Sequence, residues 1–288
     1  MWSEIVKAIS EKTGQQFQLE NTLSIGGGCI NQAYKLVGKN KSYFVKLNTA
    51  VKVEMFAVEA LGLKQMYETQ TITIPQPICW GVSQSNCYLV LEYYDFGRGN
   101  QDSWRNMGRQ LALMHEKGVS TRFGWQENNT IGSTPQINDW YDNWGDFFAQ
   151  KRIGYQLQLA RRNGGSFANS NEAIEKIRDL LSSHSVKPAL VHGDLWSGNA
   201  SITADGQPII FDPACYYGDR EVDLAMSELF GGFPSAFYQG YQEIYPLDSG
   251  YEQRKTIYNL YHILNHFNLF GGGYQSQSQR MIKQIMSF

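Results

Sequence analysis

A two-lobed α+β protein, with a small antiparallel-sheet lobe followed by a mainly helical lobe, is predicted by three observations. Five short strand patterns fall before residue 94. Residues 92–100, rich in Tyr, Gly and Asp, change the texture of the chain. Beyond them helical periodicity dominates and one hairpin pattern interrupts it. The division expected is one lobe of residues 1–94 and one of residues 95–288, with a ligand held in the cleft between them.

Taken in order, Trp2, Ile5, Val6 and Ile9 recur at helical spacing, and residues 17–25, 31–37 and 42–47 read as three strands separated by turn residues. Val51, Met55, Val58, Leu61 and Met66 predict a helix over 51–67, and two further strands, 78–82 and 87–91, follow Pro75 and Pro77. Past the boundary, helices are expected at about 101–117, 139–163, 171–183 and 250–270. Strand patterns at 189–191, 200–203 and 208–211 surround an Asp205-Gly206 turn of the hairpin type.

Composition limits the function. With 25 basic and 27 acidic residues, a net charge of −2, the 288-residue chain has no broad cationic field for a polyphosphate backbone, so nucleic-acid binding is not expected. At 42% hydrophobic and 18% charged residues it can bury a sizeable core. Glu4, Lys7, Glu11 and Lys12 interrupt any apolar leader, and no later run reaches membrane-spanning length. No membrane partner and a cytoplasmic setting are therefore expected. Cys29, Cys79, Cys87 and Cys215 have neither metal-ligand spacing nor the density of a disulfide scaffold, so reduced thiols are expected.

The most informative stretch is His192-Gly193-Asp194-Leu195-Trp196-Ser197-Gly198-Asn199, with Asp212-Pro213-Ala214 beyond the hairpin. A fixed H-G-D-x4-N arises by chance roughly once in 160,000 positions, so an accident in one chain is a poor explanation. The spacing suits phosphoryl transfer. Asp194 can meet a substrate hydroxyl as base, Asn199 can turn its carbonyl oxygen to a metal, and Asp212, returned by the hairpin, adds a hard oxygen ligand for Mg²⁺.

Upstream, Gly26, Gly27 and Gly28 join two strands, where backbone N–H groups can approach an anion such as a nucleotide phosphate. The same glycines are equally suited to a plain hairpin turn. Lys46 ends an apolar strand and needs a counter-charge; Glu59 on the following helix can supply it and hold the ammonium towards ATP phosphates, with Glu54 as the competing carboxylate. The strand 87–91 runs into Glu92, Tyr93 and Tyr94, a hinge that can offer backbone groups to adenine or simply end a core strand. Cys29, at the tip of the Gly-rich loop, is a candidate redox-sensitive thiol or a small residue in a tight turn.

Together these segments resemble the protein-kinase-like fold in its small-molecule branch, and more narrowly the fructosamine kinase (ketosamine-3-kinase) family. Residues 26–30, 129–136, 140–144 and 212–219 resemble that family's own signatures, and the resemblance runs through almost the whole chain. It implies ATP and Mg²⁺ as cofactors, Asp194 as base, Asn199 and Asp212 as metal ligands, Lys46, Glu59 and residues 92–94 on ATP, and Asp223 bracing the catalytic loop. It also implies phosphorylation of the O3 hydroxyl of a ketosamine, leading to deglycation, with glycated proteins or small ketosamines as partners. A homodimer is compatible with it. Aminoglycoside, choline or thiosugar acceptors, and a silent nucleotide-binding regulator, are the rival readings.

Trp196, between Asp194 and Asn199, is expected in the acceptor pocket, and His192 is expected to be a structural hydrogen-bonder. Trp125, Trp140, Tyr141, Trp144, Phe147 and Phe148 fit a core better than a sugar platform. His115, His262 and His266 read as structural. Lys151, Arg152, Arg161 and Arg162 read as a solvated helix face.

Overall fold

The computed structural model describes residues 1–26 and 30–288; Gly27, Gly28 and Cys29, and what was expected of them, lie outside the described residues. Helix α1 (Trp2–Thr13) precedes strands β1 (Leu19–Ile25), β2 (Gln32–Gly38) and β3 (Ser42–Thr49), helix α2 (Val53–Glu68), and strands β4 (Pro77–Ser83) and β5 (Asn86–Glu92). The strands form one antiparallel sheet in the order β1-β2-β3-β5-β4.

Strand alternation decides which side chains meet which layer. Tyr43, Val45 and Leu47 of β3, with Tyr88 and Val90 of β5, turn towards Ile5 and Ile9 of α1. Cys87, Leu89 and Leu91 turn the other way, against Phe56, Ala60 and Leu63 of α2, and that core continues into the helical part of the chain. Lys46 shares the parity of Phe44, which packs on this second core. The alternation thus aims it inwards.

After β5 the chain crosses 93–100, where Gly97 N–H bonds Ile202 O at 2.8 Å and Ala204 N–H bonds Asp95 O at 2.7 Å. Helix α3 (Gln101–Lys117) follows, capped by Asn100, whose side chain accepts from Ser103 N–H. It runs against α8 (Ser235–Ile244) at backbone distance. A Cβ at Gly108 would lie 1.9 Å from Phe237 O, and one at Gly240 would lie 1.9 Å from Arg105 O. Only glycine permits that approach.

Three expectations are corrected here. The helix expected over 139–163 starts at α4 (Trp144–Phe147), because Tyr141 exchanges both backbone bonds with Phe123 and Asn143 then caps the helix by accepting from Asp146 N–H. It continues as a π-helical segment, Phe148–Gly154, and α5 (Tyr155–Arg162). Arg152 stands four residues from Phe148 and four from Gln156, both buried, and is itself fully buried and not part of a solvated face. The strand β8 (Ala189–Val191) pairs with β11 (Tyr216–Gly218), while β9 (Ala200–Ile202) and β10 (Pro208–Ile210) make the hairpin by themselves.

The sequence reading missed a short hairpin of β6 (Asn129–Ile131) and β7 (Thr134–Gln136), and the helices α7 (Glu221–Leu229), α8 and α10 (Tyr274–Ile285). Helices α6 (Ser170–Ser182) and α9 (Tyr251–Phe270) stand close to where periodicity put them. Trp125, Trp144, Phe147 and Phe148 are core residues; Trp140 stays partly exposed, stacked on Tyr217 at 6.1 Å between ring centres. No helix among the described residues is long and apolar enough to cross a membrane.

Candidate active site

Lys46 is 5% exposed, and its Nζ donates to Glu59 Oε1 at 2.6 Å and to Asp212 Oδ1. Burial alone would lower the pKa of this lysine, but the Asp212 and Glu59 carboxylates outweigh it and hold the ammonium charged. Glu59 lies on the inner side of α2, whereas Glu54 is exposed and takes no part. The sequence alone left that choice open.

The loop 192–199 is delivered by β8 and taken away by β9. Its backbone is gripped by Asp223 of α7, whose carboxylate accepts from His192 N–H at 2.7 Å and Gly193 N–H at 2.8 Å, and from the His115 ring at 3.0 Å. Burial opposes ionisation of Asp223, yet these donors hold its pKa below the usual carboxylate value. Gly193 has φ 78°, and a Cβ there would fall 2.2 Å from Ala214 O. His192 accepts from Asp194 N–H on Nδ1 at 3.2 Å, so its Nε2 carries the proton donated to Phe211 O at 2.9 Å. Burial keeps that ring neutral by lowering its pKa.

Asp194 is pushed up from 3.8 to about 7, first by burial and then by the negative charge of Asp212, against the pull of a hydrogen bond from Asn199. Asn199 spends its amide N–H groups on Asp194 O at 2.9 Å, Asp194 Oδ2 at 3.1 Å and Asp212 O at 3.5 Å. Its carbonyl oxygen has no partner among the described residues. The hairpin brings Asp212 back beside this loop, with Phe211 N–H on Asn199 O at 3.0 Å, and the Asp212 side chain keeps 45% of its surface open. Lys46, Glu59, Asp194, Asn199 and Asp212 therefore meet at one place.

Trp196 stands 38% exposed on the same loop, folded over Gly198, where a Cβ would come within 2.3 Å of its ring. Glu92 pairs with Tyr43 at the end of the sheet and accepts from Tyr94 O–H at 3.1 Å, while Lys35 Nζ sits 3.9 Å over the Tyr93 ring. Past Glu92, no backbone bond among the described residues engages Tyr93 or Tyr94. Gly26 follows the end of β1. A cavity of about 210 Å³ opens beside the site between α2 and residues 128–130, with Glu59 and Pro213 in its wall.

His115 bonds Tyr241 at 2.8 Å as well as Asp223, and burial lowers the pKa of His262 to about 3. Both are structural. Sequence reasoning missed the side chains behind Asp212: Asn129 and Gln136 bond the carbonyls of Cys215 and Ala214 at 2.8 and 2.9 Å. Their segment stood out as a motif, but no chemistry could be read from it.

The family model for fructosamine kinase matches residues 1–288. The chain belongs to the fructosamine kinase family. It is 59% identical to a Synechocystis sp. protein that carries the name probable ketoamine kinase, over 99% of this chain and 97% of the relative. It is 45% identical to the chloroplastic protein-ribulosamine 3-kinase of Arabidopsis thaliana, over 95% of this chain and 85% of the relative. A solved structure from Haemophilus somnus, described as a fructosamine-3-kinase, superposes with a TM-score of 0.93 at 34% identity, covering 99% and 98% of the two chains. An aminoglycoside phosphotransferase, at 14% identity and a TM-score of 0.64 over 100% and 99% of the chains, shares the fold alone. The fold is protein-kinase-like, and this member of the fructosamine kinase family is an ATP-dependent phosphotransferase with an alcohol acceptor.

Proposed function

We propose that this family member transfers the γ-phosphoryl group of ATP, with Mg²⁺, to the O3 hydroxyl of a ketosamine, using residues 1–94 to hold the nucleotide and residues 95–288 for catalysis and the acceptor. Ketosamine kinase activity follows from the family and its relatives. The roles of individual residues rest on one observation: a carboxyl pushed up to about 7, Asp194, beside the open oxygens of Asn199 and Asp212.

The donor set fits Mg²⁺. Asn199 has its carbonyl oxygen free and Asp212 has one carboxylate oxygen beyond its bond to Lys46, and Mg²⁺ takes one or two protein oxygens with the rest from phosphates and water. Bound there, it would neutralise charge developing on the transferred phosphoryl group. Asp194 orients the acceptor hydroxyl and takes its proton. Lys46, charged and steadied by Glu59, meets the phosphates, the hinge 92–94 offers backbone groups to adenine, and Gly26, Gly27 and Gly28 offer N–H groups to the phosphates. His192 and Asp223 keep the loop in shape, and Trp196 covers the acceptor.

Once O3 carries phosphate, the enaminol form of the product places it on an allylic carbon, from which it departs and lets the amine be recovered. Glycated proteins and small ketosamines are the partners this implies, and we place the work in the cytoplasm. ADP release should be measured with ATP, Mg²⁺ and a panel of ketosamines set against aminoglycosides and choline. Turnover with ketosamines is expected; turnover confined to aminoglycosides or choline would overturn the acceptor assignment.

A further inference from the structure

We propose that Gln136, held by a buried polar relay ending on Arg152, is a positioning residue for Asp212, and that this brace sets the affinity of the site for its divalent cation. The inference rests on the reading of Asp212 as a metal ligand given above.

Asp212 needs holding. It is a non-glycine residue at φ 58°, a left-handed conformation that costs on the order of 1–3 kcal/mol and persists only where surrounding structure imposes it. Pro213 has no N–H to tie the turn down. Besides Lys46 on its side chain and the bond of Ala214 N–H to His192 O, the pair of carbonyls that follow hold it: Ala214 O accepts from Gln136 Nε2 at 2.9 Å, and Cys215 O accepts from Asn129 Nδ2 at 2.8 Å. Both donors come from the β6–β7 hairpin.

The relay has a direction fixed at both ends. Arg152 can only donate, so its bond of 2.7 Å requires the carbonyl oxygen of Asn138. The amide of Asn138 therefore faces Asn129 Oδ1, at 2.9 Å, which turns the amide of Asn129 to Cys215 O. Gln136 gives a second bond to Asn129 Oδ1 at 2.8 Å, and its own carbonyl accepts from Tyr261 O–H at 2.6 Å. At the far end sit main-chain carbonyls, which can only accept. No amide in the chain can flip without stranding a buried donor.

Arg152 is an expensive anchor. It is 0% exposed and pairs with no carboxylate among the described residues; carbonyl oxygens and the faces of Tyr216 and Phe147, at 4.1 and 4.6 Å, surround it instead. Its Nε has no partner among the described residues. A hydrophobic residue of similar volume would suit stability at least as well, so a buried cation set on a π-helical turn points to a specific geometric task.

The test is a Mn²⁺ titration of the full chain with a non-hydrolysable ATP analogue, following free Mn²⁺ by electron paramagnetic resonance. Metal-free ADP binding and thermal melting run alongside. Gln136→Leu should weaken Mn²⁺ binding roughly 10–100-fold, the usual effect of losing a residue that orients a ligand. Tyr261→Phe, a milder change that keeps the packing, should weaken it about two- to five-fold, a smaller share of the same effect. Metal-free ADP affinity should stay within about two-fold in both, since the brace acts on the metal ligand and not on the nucleotide pocket. A folded Gln136→Leu with wild-type Mn²⁺ affinity overturns the proposal; if that variant does not fold, unchanged affinity in Tyr261→Phe does so. Loss of ADP and Mn²⁺ binding in equal proportion also overturns it, because a merely structural role predicts that. Asp212→Ala in the same series separates the two readings: unchanged Mn²⁺ affinity there overturns the metal-ligand assignment itself.

Discussion

Replacing Asp194 by Asn should cost activity and raise stability, and the size of the second effect follows from the raised pKa of the carboxyl. A buried carboxyl whose pKa rises from 3.8 to about 7 is disfavoured as the anion in the folded state, by about 4 kcal/mol at ~1.36 kcal/mol per tenfold in acidity. The native state binds the proton more tightly than the unfolded chain, so stability is highest below the unfolded pKa and declines as pH rises, until the folded pKa is passed. Asparagine removes the penalty and can still accept from Asn199 Nδ2. For 288 residues the unfolding entropy is roughly 0.6 kcal/mol per degree, so the full effect corresponds to about 7 °C. Scanning calorimetry of ligand-free protein should show Asp194→Asn and wild type melting together near pH 4 and separating, with the variant more stable, up to pH 7–8. Turnover in the variant should fall by roughly 10² or more, while ATP binding stays within a few-fold. A difference in Tm that does not change with pH, or a variant less stable at pH 8, would refute the reasoning.

Glu59→Ala should raise the KM for ATP by loosening Lys46, and Glu54→Ala should leave it unchanged; steady-state kinetics on both checks the pairing. Asp223→Ala leaves two loop N–H groups and the His115 ring without their acceptor, each worth about 1–3 kcal/mol, so denaturant unfolding should show a loss of several kcal/mol together with a fall in kcat. Trp196→Ala, at a side chain 38% exposed, should raise KM for the ketosamine with little change in Tm or in KM for ATP. Gly108→Ala should lower Tm sharply, since its Cβ would meet the α8 backbone at 1.9 Å.

What could be read from the sequence was set by local signals. Lys46 sits on a strand whose alternation declares its facing, so a carboxylate partner on the next helix could be anticipated, while the choice of Glu59 over Glu54 could not. The catalytic loop is one contiguous run, and the Asp205-Gly206 turn announces the hairpin that returns Asp212. Helix α7 gave no such signal, because Glu221 to Ser227 are buried all round and leave no apolar stripe. The strands β6, β7 and β11, three residues each, are too short to show alternation. Arg152 was misread because its charge was grouped with Lys151, Arg161 and Arg162, although it stands four residues from the buried Phe148 and Gln156.

The short path from Asp212 to Asp223, eleven positions, binds two sides of the site together. In that span Ala214 N–H bonds His192 O at 2.9 Å, β11 pairs with β8 next to the catalytic loop, and Asp223 returns to hold the N–H groups of His192 and Gly193. The turn at Asp212 and the loop 192–199 are thus tied to each other at three points by one short segment. A long activation loop needs an added charge to order it, and a span of eleven positions tied down along its length has no room for such a loop.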